Sequence, residues 1–584
     1  MFKPLHTLFF ACCLMLLTGV FSCTNQTEIT STGVTIRLPN EPESLHPIFS
    51  KSIYATQIES LILLPIAEYD PISMELSPIL ITSIPAGEDI KTEGKHDGGK
   101  VFELEFRPEA KWADGTPVTG RDYLFTFKSV YNPYVNSTAW KNFMTFIDEI
   151  VVDPNNPQHV SVYLDSAYSL DIEAIINWNL YPEKVYDPEG LMSSFSLEDL
   201  RNPDIEWTPE QDSLLKRFAT LYESPEYFRE NVSGSGAYAL DEWVTGEYIR
   251  LKRKDNWWGD QITNPPSLLQ AYPSSITYRI ILDEAASEAA IKTGEIDLMA
   301  GITPSTFNRL RNNTEWKDRL NTFTPAIMQV NYIELNHRNP ILADVRVRKA
   351  LAYSIDYDGM LNNVMEGLAT RATSPIHPDK PYYNHDLKPV TRDIKKSIAL
   401  LEEAGWHDTN SNGIPDKVIN GKLEELHLEV KITNKEEGIA ISSILKENAK
   451  EAGFDIEIVI VDPSQIQQDA RQKNFDLLPL RIRAFPFVDD PYNIWHSDND
   501  RQGGGNRSGF RSAELDNIME KLRRTDDSLA QVTLLKEFQQ IIYDEQAGIF
   551  LYTPLERIVS SKRIQFPLST LRPGYFENLI RPAE

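Results

Sequence analysis

The sequence predicts an α/β protein, and three observations support this fold class. Between residues 394 and 461, amphipathic helical segments precede a segment with strand-like composition, and two of the helices end at a glycine, Gly405 or Gly453. The helix–glycine–strand order of residues 439–461 is typical of a βαβ unit. The chain has 584 residues and 41% hydrophobic content, so it can bury a large core.

Strands and turns dominate the predicted first part of the chain. Val34–Leu38 alternates apolar and polar residues as a strand does, and Val101–Arg107 repeats this pattern. Arg121–Val130 has helical spacing. A glycine turn at residues 234–236 then leads into two short strands that are joined near residues 245–247.

The later part of the chain is predicted to be richer in helices. Amphipathic helices are expected at Val345–Val364, Ile394–Ala404 and Ile439–Ala452, and Phe454–Val461 follows the last of them as a buried strand. The final predicted elements are helices at 515–523 and 529–543 and a strand at 549–552.

The charge and the cysteine content exclude several classes of protein. The chain has 58 basic and 85 acidic residues, a net charge of −27 and no basic arm, so we expect no nucleic-acid partner. The only cysteines, Cys12, Cys13 and Cys23, lie near the amino terminus, so the body has no disulfide, cysteine metal site or cysteine nucleophile. The sequence also lacks HExxH, GxSxG and phosphate-loop signatures.

The first 22 residues have the layout of a secretory signal peptide. Lys3 precedes the apolar run Leu8–Leu17, which is too short to span a bilayer. Cys23 follows Ser22 as in a bacterial lipobox, where the cysteine thiol forms a thioether to diacylglycerol before cleavage. We therefore predict lipid attachment at Cys23, a polar tether over 23–32 and membrane association through the acyl chains. Simple secretion with an incidental cysteine is the alternative.

Seven segments together resemble the family-5 solute-binding proteins of ABC importers, which include the oligopeptide and dipeptide binders. The segments are spread over almost all of the mature chain and follow the order of the family. His46 stands where the family usually has Asp. The segments are Glu41–Pro47, Lys111–Asp122 (KWADGTPVTGRD), Ser233–Trp258, Gly294–Asp297, Asp344–Asp358, Leu400–Trp406 and Asn506–Asp516.

This resemblance implies a fold like that of the type II periplasmic binding proteins. Two α/β lobes, joined by hinge strands, close over a ligand, and an extra domain sits on the first lobe. Closure shifts an open–closed equilibrium that the importer senses, and no bond is made or broken, so we expect no enzymatic activity. The expected boundaries are 33–75, 183–301 and 549–584 for lobe I, 76–182 for domain II, and 302–548 for lobe III.

The segment Phe475–Pro491 carries the main prediction about the ligand. In the resembled oligopeptide binders, an acidic residue in this segment pairs with the amino terminus of an extended peptide. Here the segment is two residues longer, and Phe485 or Phe487 takes the acidic position, depending on the end from which it is counted. Asp489 substitutes only if the loop is re-routed.

Without that acid, a free-amine peptide would leave a buried ammonium without a partner, which is costly. Phe485 and Phe487 would then form an apolar or stacking floor for a sugar, a blocked peptide or another amphipathic solute. Packing of both rings in the protein core is the alternative.

Further residues are candidates for the ligand cleft. Arg481 and Arg483 share one strand face and would pair either with a ligand carboxylate or with surface acids. The remaining candidates are Tyr492 and Trp495 on the same segment, and Tyr131, Tyr134 and Trp140 on the domain II side.

Residues 408–416 resemble the start of a calcium loop. Oxygen donors occupy its first, third, fifth and ninth positions, but the twelfth is Ile419 instead of Glu, so calcium would bind weakly. An Asx-rich turn is the alternative, and we expect no other cofactor. The four donors are Asp408, Asn410, Asn412 and Asp416.

We therefore expect a lipid-anchored, extracytoplasmic and monomeric substrate-binding protein that captures oligopeptides or peptide-like solutes and delivers them to an ABC permease. A binder of oligosaccharides or other nonpeptide solutes with the same fold is the alternative. Two distant alternatives are a secreted lipoprotein hydrolase, for which the sequence shows no nucleophile–base pair, and a surface adhesin with an exposed aromatic patch.

Overall fold

The computed structural model describes residues 33–583, except 51, 92, 142–143, 165–169, 177 and 526. Cys23, the predicted signal peptide and the predicted tether lie outside the described residues. Mixed and antiparallel sheets alternate with helices in the rest of the chain, so the predicted α/β class is confirmed. Within the described ranges, no helix is long and apolar enough to cross a membrane.

Lobe I is built on a seven-stranded sheet. Its central strand, Val34–Leu38, runs parallel to a neighbour on each side and has four buried residues out of five. The two strands predicted around residues 238–253 form the expected antiparallel hairpin. In sheet order, the strands are Tyr238–Val244, Tyr248–Arg253, Ser275–Ile280, Val34–Leu38, Leu298–Met299, Ile558–Ser561 and Leu320–Phe323.

Domain II contains a four-stranded antiparallel sheet and packs on lobe I. The predicted helix spans Gly120–Tyr131 and begins at a capping box between Thr119 and Asp122. Buried residues of lobe I and domain II form one continuous hydrophobic core, so these two parts act as one body. In sheet order, the strands are Gly87–Asp89, Lys100–Glu105, His159–Leu164 and Ile147–Val152.

Lobe III is built on a six-stranded sheet with separate cores on its two faces. The predicted βαβ unit is confirmed, since strand His427–Ile432, helix Glu436–Lys450 and strand Asp455–Ile460 form a parallel pair with its crossover helix. The last strand lies at the sheet edge and is only partly buried. In sheet order, the strands are Ala369–Arg371, Gly548–Pro554, Gln329–Leu335, Leu477–Arg483, His427–Ile432 and Asp455–Ile460.

The single helix predicted over Val345–Val364 is wrong. The helix ends at Ser354, and Asp356 starts a new turn by accepting a hydrogen bond from the Gly359 N–H at 2.9 Å. A short helix at Tyr357–Gly359 and a π-helical turn at Met360–Val364 follow. The apolar spacing continues across this break, so periodicity alone does not reveal it.

The remaining elements surround these three sheets. The helices are Ile53–Ile62, Thr138–Lys141, Asp171–Ile176, Glu183–Tyr186, Leu197–Arg201, Pro209–Tyr222, Glu284–Thr293, Pro304–Asn312, Ile394–Glu403, Pro463–Gln472, Tyr492–Trp495, Ala513–Arg523 and Ser528–Asp544. Short 3-10 or π turns are Glu226–Glu230, Trp258–Gln261, Ser267–Leu269, Ser497–Asn499 and Glu577–Leu579. Two-stranded pairs join Leu64–Pro65 to Asn179–Leu180, Ala67–Tyr69 to Leu76–Pro78, Asp416–Ile419 to Lys422–Glu425, and Ile564–Gln565 to Arg581–Pro582.

Two adjacent chain segments connect lobe I to lobe III. They are residues 324–328 and residues 555–557, and we call them the two crossings. Ala326 in the first crossing forms an antiparallel bridge with Leu555 in the second. The two main-chain connections between the lobes therefore lie at one narrow place, as a hinge requires.

The crossings differ from the predicted limits of lobe III. Strand Leu320–Phe323 belongs to the lobe I sheet, so the chain enters lobe III after it and not at residue 302. Strand Gly548–Pro554 belongs to the lobe III sheet, so the chain returns to lobe I after residue 554 and not at 549. The other domain boundaries stay predictions.

Glu59 makes the stability of the fold dependent on pH. It lies in helix Ile53–Ile62, is 4% exposed, and its Oε1 has no hydrogen-bond partner among the described residues. Burial raises the pKa of Glu59 from 4.5 to about 8. The folded protein therefore keeps a proton on Glu59 that the unfolded chain releases at a lower pH.

This raised pKa predicts a stability loss as the pH rises from about 5 to 8, by at most about 1.4 kcal/mol per pH unit from this group. Glu59→Gln removes the ionisation, so the stability advantage of the variant over wild type should grow across that range. Urea unfolding at pH 5, 6, 7 and 8 measures this difference. A difference that stays constant with pH would contradict the prediction.

Candidate ligand-binding site

Strand Leu477–Arg483 leads the predicted segment to a place where lobe III faces lobe I, and we call the facing region between the two lobes the gap. Arg481 and Arg483 are both exposed on one face, while Ile482 between them packs against a lobe III core, so their predicted shared face is confirmed. Within the described part of the chain, no carboxylate oxygen lies within 4.0 Å of either guanidinium. The alternative of surface ion pairs therefore has no support in this structure.

Phe485 and Phe487 form a stacked pair at the end of this strand. Their ring centroids are 5.1 Å apart with an interplanar angle of 10°, and the Arg483 guanidinium lies 5.3 Å from the centre of the Phe485 ring. Phe485 is 41% exposed, and neither ring belongs to a core cluster of lobe III. These positions favour the predicted stacking floor over core packing.

The Phe487 ring also touches the opposite side of the gap. The centroid of the Tyr69 ring lies 5.7 Å from that of Phe487. Tyr69 ends the short strand Ala67–Tyr69, whose hydrophobic neighbours pack in the core that lobe I shares with domain II. The two bodies of the molecule thus meet through aromatic rings at the predicted ligand segment.

Lys380 holds the backbone of the loop that carries Phe485 and Phe487, which we call the aromatic loop. Its buried ammonium donates to the carbonyl oxygens of Phe485 and Phe487, the second at 2.5 Å. Lys380 Nζ also lies 4.0 Å from Asp489 Oδ1. Burial lowers the pKa of Lys380 and raises that of Asp489, and the opposite charge of each partner opposes these shifts. No local pattern points to Lys380, because it lies in a loop 105 residues before Phe485.

The structure does not support Asp489 as a substitute anchor for a ligand amine. Besides Lys380, it contacts Tyr382, whose hydroxyl donates to Asp489 Oδ2 at 3.0 Å and accepts from the Asp489 N–H at 2.9 Å. Asp490 accepts from the Arg523 Nε at 2.9 Å. Both acids therefore hold the loop in place.

Two carboxylates on the opposite side converge on Tyr69, and the sequence pattern indicated neither. Glu68 Oε1 accepts from the Tyr69 N–H at 2.9 Å, and Glu173 Oε1 accepts from the Tyr69 hydroxyl at 2.6 Å. Burial raises the pKa of both carboxyl groups, and for Glu68 the positive charge of Arg483 opposes this shift. Of the described residues, none places a basic nitrogen within 4.0 Å of either carboxylate.

The prediction that Trp495 lines the cleft is wrong. Trp495 is 2% exposed and lies in a lobe III core beside Phe538. The single turn Tyr492–Trp495 directs the indole inward, and such a short element has no periodicity from which its buried face could be read. Tyr492 is packed between His496, with ring centroids 3.9 Å apart, and the Arg523 guanidinium, 3.7 Å from its ring.

The three candidates from the domain II side pack within their own half of the molecule. Trp140 donates its indole N–H to the Ile48 carbonyl oxygen at 3.0 Å. Tyr131 packs against the shared core. Tyr134 is 41% exposed, and its hydroxyl donates to Asp212. The structure gives these side chains packing and surface contacts, so their role in binding stays a prediction.

The calcium-like loop forms a network of Asx turns. Asp408 accepts from the N–H groups of Asn412 at 3.1 Å and Gly413 at 2.9 Å. Both oxygens of Asp416 accept from Thr409, at 3.0 Å from its N–H and 2.6 Å from its hydroxyl. Asn410 and Asn412 donate their side-chain amides to Glu425 at 3.1 and 2.7 Å.

These bonds favour the Asx-rich turn over the predicted calcium site. Over the residues that the structure describes, no group of three or more His, Cys, Asp or Glu side chains is arranged to hold a metal ion.

Because Lys380 binds two carbonyl oxygens of the loop and lies beside Asp489, its removal should destabilise the protein. Lys380→Met leaves Asp489 buried without its cation and frees two loop carbonyls, so the protein should lose about 2–4 kcal/mol of unfolding free energy. Denaturant unfolding measures this loss. Asp489→Asn in the same chain should restore part of it, because it removes the uncompensated charge. Equal stability of Lys380→Met and wild type would contradict this role.

Comparison with known proteins agrees with this geometry. The family model for bacterial extracellular solute-binding proteins, family 5 (middle region), matches residues 75–504. The oligopeptide-binding protein AppA of Bacillus subtilis strain 168 is 24% identical over 539 residues, which cover 90% of this chain and 87% of that protein. The nickel-binding periplasmic protein of Escherichia coli K12 is 25% identical over 337 residues, 56% of this chain and 59% of that protein.

Solved structures show the same fold. The structure of Bacillus subtilis AppA in complex with a nonapeptide superposes with a TM-score of 0.73 at 20% identity, covering 94% of this chain and 99% of that one. NikZ of Campylobacter jejuni in complex with Ni(L-His) gives a TM-score of 0.71 at 20% identity, with the same coverage of 94% and 99%. The chain belongs to the bacterial extracellular solute-binding proteins of family 5, and the seven segments of its sequence had predicted this membership.

Proposed function

We propose that this protein captures an oligopeptide or peptide-like solute between lobe III and the body formed by lobe I and domain II, and delivers it unchanged to an ABC permease. The observation that carries the proposal is the contact of Tyr69 with Phe487 across the gap, with ring centroids 5.7 Å apart. It supports a site between the two bodies, because the two rings meet only when the bodies are brought together.

The two crossings support a mechanism by closure. Rotation about one narrow joint moves lobe III as a unit, so a ligand that touches both sides favours the closed state by its differential affinity. A closed binding protein with its ligand is then the form that the permease distinguishes from the open one. The bound solute undergoes no chemical change in this mechanism.

The strand beside the site is suited to an extended peptide. Within the described residues, Ala67–Tyr69 pairs with Leu76–Pro78 on one edge only. On the other edge the Tyr69 N–H donates to Glu68 Oε1 at 2.9 Å, so a ligand main chain that adds there would replace this bond. The stacked rings of Phe485 and Phe487 would receive an apolar or aromatic ligand side chain. The oligopeptide-binding relative and its nonapeptide complex support this ligand class.

A nonpeptide solute is the second candidate. The aromatic pair at the position expected for an acid favours a ligand with a flat apolar face, such as a sugar ring. The nickel-binding relatives make a metal chelate a further nonpeptide candidate. The same experiment separates these ligands from a peptide.

Native mass spectrometry of the protein, purified without refolding, should show a heterogeneous set of copurified peptides. After the ligand is stripped by reversible unfolding, addition of a synthetic oligopeptide library should reduce the radius of gyration measured by X-ray scattering, because the lobes close. A single copurified sugar or metal chelate would replace the peptide proposal. An unchanged scattering profile with every solute would overturn the closure mechanism.

We also propose that the protein acts as a monomer on the outer side of a membrane, held there by acyl chains on Cys23. The lipobox-like position of Cys23 after the apolar run supports this proposal. Cys23→Ala should move the protein from the membrane fraction to the soluble fraction and abolish its labelling by a clickable palmitate analogue. Ser22→Ala is the matched control and should remain membrane-bound. Labelling that persists in Cys23→Ala would contradict the anchor.

A further inference from the structure

The aromatic loop of lobe III offers no free carboxylate to a ligand amine. Phe485 and Phe487 are apolar, and Asp489 is already paired with Lys380 and Tyr382. An ammonium buried against this loop alone would lose its hydration without gaining a partner, which is unfavourable. If the ligand has a free amine, its partner must come from another surface of the gap.

The opposite surface carries two carboxyl groups that have no ion-pair partner among the described residues. Glu68 and Glu173 both bind Tyr69, the residue that touches Phe487. Among the described residues, no basic nitrogen lies within 4.0 Å of either carboxylate. Elsewhere in the same region acids are paired, as Asp171 is with Lys100 at 2.6 Å. Two acids without an ion-pair partner, located where the lobes meet, would favour binding of a cationic group of a ligand.

Glu68 and Arg483 lie on opposite sides of the gap and interact electrostatically. Partial burial raises the pKa of the Glu68 carboxyl, and the positive charge of Arg483 opposes that shift. Their charged atoms are nevertheless farther apart than the 4.0 Å of an ion pair. A ligand with a positive and a negative end fits between two such groups.

We propose that Glu68 binds the ammonium group of the ligand, so that the amine anchor stands on the lobe I side of the gap and not on the loop of lobe III. This inference rests on the proposed peptide-binding function and specifies it: the preferred ligand is a peptide with a free amino terminus. Arg483, on the facing strand, then receives a carbonyl or carboxylate oxygen of the same ligand.

Glu173 has a different part in this arrangement. Its Oε1 holds the Tyr69 hydroxyl at 2.6 Å, and the like charge of Asp171 is close to it. Glu173 is therefore a positioning residue, which keeps the Tyr69 ring against Phe487. Glu68 makes only one hydrogen bond, to the backbone N–H of Tyr69, and its second oxygen is available.

The test compares a library of random tetrapeptides with the same library after N-acetylation. Wild type should bind the free-amine library more tightly, and Glu68→Gln should weaken that binding by about tenfold to a hundredfold, the loss expected for a charge-assisted hydrogen bond. Binding of the acetylated library should change little. Glu402→Gln, an exposed acid on a lobe III helix, is the matched control and should bind both libraries as wild type does.

Calorimetry adds a measurement that a purely structural role would not affect. At pH 5.5 a peptide amine is fully protonated, so protons released on binding come from the protein. A bound ammonium would favour the ionised form of Glu68 and oppose the upward pKa shift that burial causes. Titrations repeated over a pH series, in buffers of different ionisation enthalpy, should reveal the linked proton release. Glu68→Gln should release correspondingly fewer protons.

A second variant keeps the proposal testable if Glu68→Gln is unstable. Phe487→Asp places an acid on lobe III, facing the same space, and in the Glu68→Gln background it should restore preference for the free amine. Equal losses for the free and acetylated libraries, or full binding by Glu68→Gln, would overturn the anchor while leaving the peptide function intact. If wild type binds neither library, the peptide function itself fails, and the anchor fails with it.

Discussion

The structure depends on the constraint that, in the described part of the chain, the main chain passes between its two bodies at two segments, the crossings, which lie side by side. A bridge between Ala326 and Leu555 ties these segments together. Beside them, Glu437 of lobe III accepts from the Tyr552 hydroxyl at 2.8 Å and lies 3.9 Å from Arg557 of the second crossing. A partly exposed pair at that distance contributes little energy, so the joint is fixed in place but is inexpensive to bend. The ligand then decides how far it bends.

Paired and unpaired charges have different roles at the gap: the paired charges hold the aromatic loop, and the unpaired ones are available to a ligand. On the lobe III loop, Lys380 and Asp489 neutralise each other and bind the backbone, so that the aromatic pair is held rigidly before any ligand arrives. Glu68 and Arg483 are left without ion-pair partners within the described chain. Partial burial of the unpaired Glu68 carboxylate disfavours the empty closed state, and a ligand that supplies the missing partner removes this penalty. The same charges can therefore provide both selectivity and the drive for closure.

The sequence predicted the parts of this molecule that local pattern and family order determine. Helix Gly120–Tyr131, the βαβ unit of lobe III and the shared face of Arg481 and Arg483 follow from spacing within one segment. The partners of the aromatic loop do not, because Tyr69 and Phe487 are over four hundred residues apart and no local pattern joins them. Trp495 shows the same limit, since a single helical turn does not indicate which side faces the core.

An anchor on the lobe I side changes how selectivity and closure are coupled. If one wall held both the acid for the amine and the cation for a ligand oxygen, a ligand could bind both groups before the lobes met. With Glu68 on one wall and Arg483 on the other, a dipolar ligand meets both charges only when the gap is closed. A solute with an amine alone would gain from Glu68 but leave Arg483 unpaired, so it would favour closure less. Because the two charges lie on opposite walls, a ligand with both an amine and a negatively charged or carbonyl oxygen should favour the closed, transport-competent state most strongly.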